Sequence, residues 1–175
     1  MREPGNREMR DKNITMTAHV LIALASVRSL TGIAQNEVSI ASIKARDYLT
    51  DQVQFLTDPF QTALVTWALT TSGGASNDAF TRMQALSRDR TYWSATRIPV
   101  NPNRQIQTVP YIDPRQIYPH EASAVQATAY ALMCYTSRNL VEESVPLVDW
   151  LNVMRNTIGG FAGTRVSTCT YCIYM

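Results

Sequence analysis

Two kinds of helical segment alternate along this chain of 175 residues, and that alternation limits the fold more than any other feature. Over residues 15–30, Met16, Ala18, Val20, Leu21, Ile22, Ala23, Leu24 and Val27 place apolar groups on almost every helical face. Such a helix is expected to be buried on all sides. Residues 37–55 differ. There Val38, Ile40 or Ala41, Ala45, Tyr48 or Leu49, and Val53 keep near-helical spacing, with Lys44, Arg46, Asp47 and Asp51 between them. That spacing predicts an amphipathic, half-exposed helix.

The same two patterns then recur. Asp58-Pro59 reads as an N-cap followed by a first-turn proline. Residues 60–71 are apolar on most faces, and Ser72-Gly73-Gly74 is a stop signal. Residues 77–86 carry Ala79, Phe80, Met83 and Leu86 on one stripe. Residues 87–120 have no helical period and hold five prolines (Pro99, Pro102, Pro110, Pro114, Pro119), which predicts one long ordered loop. An Ala-rich segment over 121–136 and an amphipathic one over 142–154, with Val145, Leu147 or Val148, Leu151 and Met154, complete a third pair.

About three helix pairs, each one buried and one amphipathic, form a repeat. The expected class is all-α. A partial α/α toroid of terpenoid-cyclase-like architecture satisfies the pattern, with buried helices inside and amphipathic helices outside. An ordinary helical bundle satisfies the periodicity equally well.

Charge and cysteine content exclude several functions. Sixteen Lys and Arg against fourteen Asp and Glu leave a net charge of +2, too little for a nucleic-acid partner. An apolar share of 45% is enough to drive collapse. The longest apolar stretch, residues 18–27, is interrupted by His19 and Ser26 and is too short to span a bilayer. The charged N-terminus shows no signal peptide. Three cysteines, Cys134, Cys169 and Cys172, do not make a disulfide framework.

Isolated chemical candidates are weak. Cys169-x-x-Cys172 lacks the second Cys or His pair that a zinc site needs. Cys134 lies in an apolar helix, where an inert buried thiol is the usual case. His19 sits in a helix predicted to be buried and reads as a core histidine. His120-Glu121 opens a helix and is not part of an H-E-x-x-H pair. Gly159-Gly160-Phe161, even with Gly163, follows no strand and makes no phosphate-binding fingerprint. Arg88, Arg90, Arg97 and Arg104 read as a solvated face of the loop. No catalytic residue, cofactor or metal site is expected. One N-glycosylation sequon, Asn13-Ile14-Thr15, makes Asn13 a candidate acceptor if the chain is exported.

Six ordered segments are more specific. Met16-Thr17-Ala18-His19-Val20-Leu21-Ile22-Ala23-Leu24 is followed by the segment from Asp58 to Leu69, then by Tyr92-Trp93. Val125-Gln126-Ala127-Thr128-Ala129-Tyr130-Ala131-Leu132-Met133 comes next. Last are Val148-Asp149-Trp150-Leu151-Asn152 and Gly159-Gly160-Phe161-Ala162-Gly163-Thr164. In this order they resemble the thioester domain of the α2-macroglobulin and complement superfamily, over about residues 9–165. The resemblance implies an α/α toroid, of which this chain carries about the second half. It also implies an extracellular parent that traps proteases or marks microbial and cell surfaces in innate immunity.

The chain departs from that family in two places. The Gly-Cys-Gly-Glu-Gln motif, whose Cys and Gln form the internal thioester, is absent, and no histidine precedes Met16. By the resemblance, the motif's place lies upstream of Met1. After Arg165 the family would continue into a further inner helix, whereas this sequence reads V-S-T-C-T-Y-C-I-Y-M. The expected organisation is a polar segment over 1–13, a partial toroid over 14–165 and an atypical tail over 166–175. The expected role is a structural and binding part of the parent, without catalysis, whose partner is the rest of that chain. An α/α-toroid enzyme of prenyltransferase or terpene-cyclase type is the alternative, but no D-x-D-D and no ordered Asp, Cys and His set supports it.

Overall fold

The computed structural model describes residues 4–27, 33–98, 120–155 and 161. Among them are six α-helices: α1 (Pro4–Ser26), α2 (Ile33–Gln52), α3 (Pro59–Ser72), α4 (Asn77–Ala85), α5 (Glu121–Ser137) and α6 (Val141–Met154). A single 3₁₀ turn, Val53–Phe55, extends α2. The chain divides into two compact units, Met1–Ala85 and Leu86–Met175.

In the first unit α1 packs more extensively against α3 than against α2, its neighbour in sequence. An up-and-down bundle would favour the sequential pair. Contact between alternate helices, with α2 and α4 each laid against the helix beside it, is the arrangement of an α/α toroid. The buried side of α1 is Ile14, Ala18 and Leu21, at helical spacing. From α2 and the turn after it come Leu49, Val53 and Leu56.

Helix α3 is buried on nearly every face, as its composition predicts. Four threonines survive in it because each bonds back to its own helix. Thr62 donates to Asp58 O (2.7 Å), Thr66 to Thr62 O (2.8 Å), Thr70 to Thr66 O (2.8 Å) and Thr71 to Trp67 O (3.1 Å). A buried hydroxyl is tolerable when it is bonded in this way. The helix starts where expected: Asp58 accepts the Gln61 N–H (2.8 Å) and Pro59 fills the first position.

Both strongly buried helices end alike. At the end of α3 the Gly74 N–H reaches Leu69 O (2.9 Å) and the Gly73 N–H reaches Thr70 O (3.2 Å), with Gly73 at φ 73°. At the end of α5 the Leu140 N–H reaches Tyr135 O (3.1 Å) and the Asn139 N–H reaches Thr136 O (3.0 Å), with Asn139 at φ 59°. These are two Schellman motifs, one with glycine and one with asparagine in the left-handed position. The α3–α4 and α5–α6 pairs therefore share their connecting geometry as well as their pattern.

Three expectations need correction. Helix α1 begins at Pro4 rather than near Thr15, because Arg, Glu, Met and Lys carry a helix without any apolar stripe. It is also not buried all round: Met16 is 67% exposed, and Val20 and Val27 are exposed with it. In α6 the buried stripe is Ser144, Leu147, Trp150, Leu151 and Met154, while Val145 faces solvent. Leu147, Leu151 and Met154 are buried as expected, and only at the start of the stripe does Ser144 take the place of Val145.

Candidate functional site

Two features of the described residues stand out as surfaces or anchors. The first is the uncovered side of α1. Asn13, Met16, Val20, Ala23 and Val27 are exposed and share one side of that helix. The opposite side holds Ile14, Ala18 and Leu21. Thr15, at the border, donates its hydroxyl to Asp11 O (3.0 Å) and accepts from Gln61 Nε2 (3.2 Å) on α3. Gln61 also donates to Asp11 O (2.8 Å). This polar clasp joins α1 to α3 in the rotation that leaves the Met16–Val20–Val27 side open. Near the N-terminal end the Arg10 guanidinium lies over the Phe55 ring at 5.4 Å, a cation–π contact.

The second feature is an aromatic anchor in the other unit. Residues 86–98 turn tightly at Asp89 and Arg90, both left-handed (φ 54° and 56°), beneath an Arg88–Tyr92 bridge. The Arg88 guanidinium holds the turn by donating to Ser94 O (3.2 Å) and Ala95 O (2.9 Å). This delivers Tyr92 onto Trp150 of α6, stacked at 4.8 Å with planes 4° apart. The Trp93 N–H donates to the Thr128 hydroxyl (3.1 Å) inside α5, and that hydroxyl donates to Ala124 O (2.8 Å). The Trp93 ring is fully buried beside Tyr135. The segments Tyr92-Trp93, Val125–Met133 and Val148–Asn152 thus interlock.

The remaining candidates fall as follows. His19 lies on the exposed side of α1, not in a core. Partial loss of water around it lowers its imidazole pKa below the ordinary 6.5. His120 is exposed and left-handed at the start of α5 (φ 65°), and Glu121 is fully buried in the first turn, where the helix dipole favours a carboxylate. Cys134 is a buried free thiol. Arg88, Arg90 and Arg97 are exposed. Phe161 is buried. Arg104, Gly159, Gly160, Gly163, Cys169 and Cys172 lie outside the described residues. Among the described residues no group of three His, Cys, Asp or Glu is placed to hold a metal, and no helix is long and apolar enough to cross a membrane.

A family profile described as the A-macroglobulin TED domain matches residues 3–170. The chain belongs to this family. Its fold is the all-α, α/α-toroid type, and its three helix pairs are α1/α2, α3/α4 and α5/α6. The chain is similar to complement C3 of Oncorhynchus mykiss (27% identical, covering 92% of this chain and 8% of the relative). It is similar to complement C3 of Lethenteron camtschaticum (25%, 94% and 10%) and to the venom factor of Crotalus adamanteus (24%, 93% and 8%). It therefore spans a tenth or less of the length of these relatives.

The anchor through Thr128 is not legible in the sequence. A threonine in an apolar run was its only signal, and that signal does not say which N–H it serves. Asn139 gives no clear stop signal in the sequence, because glycine is the commoner residue at that position.

Proposed function

We propose that this chain is a structural and binding part of an extracellular, complement- or α2-macroglobulin-like thioester-containing protein, and that it performs no catalysis of its own. One observation carries the reading. An inner helix of an α/α toroid has an inner neighbour on each side, and α1 has α3 on one side and an exposed apolar stripe on the other. The stripe is where the rest of the ring packs, bringing with it the Gly-Cys-Gly-Glu-Gln motif that this sequence lacks.

In this reading residues 14–165 are the ring-forming part, with a polar lead over 1–13 and an atypical tail over 166–175. The parent acts by inhibiting proteases or by marking microbial or cell surfaces, and this part helps to shield the thioester until activation. Burial of Met16, Val20 and Val27 would each contribute on the order of 1 kcal/mol.

The test is complementation. The upstream part of the domain from the parent gene is expressed with this chain, and association is measured by co-purification. The expected result is a stoichiometric complex that Met16→Asp with Val20→Asp abolishes. A complex that forms equally well with both substitutions sinks the reading.

A further inference from the structure

Met16 is the most exposed large apolar side chain among the described residues, at 67%. Of the other methionines with described side chains, Met83 and Met154 are buried and Met133 is half-buried. Round the helix, Val20, Ala23 and Val27 fall within about 40° of Met16, so its thioether stands among the residues of the uncovered stripe. The fold holds it there. Thr15, the preceding residue, is bonded to Asp11 and Gln61, and Ile14, Ala18 and Leu21 are buried on the opposite side. Rolling α1 to cover Met16 would break that clasp and expose those three residues.

We propose that Met16 is an oxidation-sensitive modification site: a hydroperoxide converts its thioether to the sulfoxide while the ring is open, and the sulfoxide keeps the ring from closing. The inference rests on the reading that the rest of the ring packs on this stripe. With hydrogen peroxide, the sulfur lone pair attacks one peroxide oxygen and forms the S–O bond. The O–O bond breaks, its electron pair goes to the second oxygen, and that oxygen takes the proton of the first and leaves as water. Sulfur is oxidised by two electrons and the peroxide is reduced by two. An apolar side chain becomes a polar one whose oxygen accepts hydrogen bonds. Burying that oxygen against apolar groups is unfavourable, so the oxidised stripe rejects the neighbour that the thioether accepts. A docked neighbour in turn covers the sulfur and excludes peroxide. Met16 therefore records ring opening, and the record lasts until a methionine sulfoxide reductase and a thiol return it to the thioether.

The test uses the whole chain and the upstream part of the domain from the parent gene. Hydrogen peroxide is added to the free chain and to the purified complex, and peptide mass spectrometry follows the gain of oxygen at each methionine. Met16 should oxidise several-fold faster than Met83 and Met154 in the free chain, and several-fold more slowly in the complex than in the free chain. Capture by the upstream part should fall several-fold after oxidation and return after treatment with the two epimer-specific methionine sulfoxide reductases. Met16→Leu should keep its capture through the same peroxide treatment. Met16→Gln, a polar chain of similar size at an exposed position, should lose capture without peroxide while its melt stays that of the wild type. Met16 oxidised no faster than Met83 overturns the site. Equal capture of oxidised and untreated chain overturns the effect on closure, as does a Met16→Leu chain that loses capture as the wild type does. Failure to capture the untreated chain overturns the ring reading and the closure effect together, while the rate comparison still decides the site.

Discussion

At the scale of single residues, the second unit depends on a hydroxyl in an unexpected place. Thr128 is fully buried in α5 and accepts the buried N–H of Trp93. Thr128→Val keeps the shape of the side chain and removes the acceptor. The Trp93 N–H is then left without its bond, at a cost of about 1–3 kcal/mol. Thr128→Ser keeps the acceptor and should lose less. Urea denaturation of the two variants checks this, and equal losses would show that the hydroxyl is unimportant. His19 makes a pH-dependent contribution to the first unit. Its folded pKa is depressed, so the unfolded chain binds the proton more readily. The stability it protects is present above the ordinary value of 6.5 and is lost as pH falls below that value. Thermal melts between pH 7.5 and pH 5 should therefore show a decline that His19→Gln makes shallower.

Among the helices, the ends of α3 and α5 carry separable capping contacts. Asp58 caps α3 and Gly73 closes it in a left-handed conformation. Asp58→Ala should cost about 1 kcal/mol. Gly73→Ala should cost a similar amount, on the order of 1 kcal/mol, because the strain is conformational and open space surrounds the position. Gly74 is constrained differently. A Cβ there would meet the Arg46 side chain at 3.3 Å and Leu69 at 3.4 Å. Arg46 is held in place by its bond to Ser72 O (3.1 Å), which ties α2 to the end of α3. Asn139 is the counterpart of Gly73 in the second unit. Asn139→Gly should be neutral or slightly stabilising, while Asn139→Val should lower the melting temperature because a β-branched residue resists positive φ. A melt in which Val is tolerated would mean that the α5–α6 turn can re-form without the Schellman bonds.

For the molecule as a whole, the exposed stripe of α1 lets folding and the proposed assembly be tested separately. Leu21 is fully buried, and Leu21→Asp should unfold the first unit by placing an unpaired charge in its core. Met16→Asp with Val20→Asp should leave circular dichroism and the melt of the isolated chain unchanged, and should reduce its self-association in light scattering. Repeat arrays need polar capping ends for solubility, and this end is apolar. If the double variant unfolds the chain instead, the stripe is part of the core.

Most of the helical plan was legible in the sequence, because periodicity, proline and glycine are local signals that tertiary structure seldom overrides. Thus α3, α4 and α5 begin within a residue of their expected positions. The chain's membership in the TED family was legible for a related reason: the Tyr92-Trp93, Val125–Met133 and Val148–Asn152 segments are chemically specific and ordered. Local pattern does not determine which neighbour covers a given face. The run from Met16 to Val27 is apolar on both sides, and the α1–α3 packing, with the Gln61–Thr15–Asp11 clasp, holds Leu21 inward and Val20 outward. In α6 the sequence placed Leu147, Leu151 and Met154 on the buried face, and the face that stacks Trp150 on Tyr92 takes Ser144 with it and leaves Val145 exposed. Sequence determined where this protein is helical and which family it belongs to. Tertiary packing decided which apolar residues remain exposed, because burial depends on residues far apart in the chain.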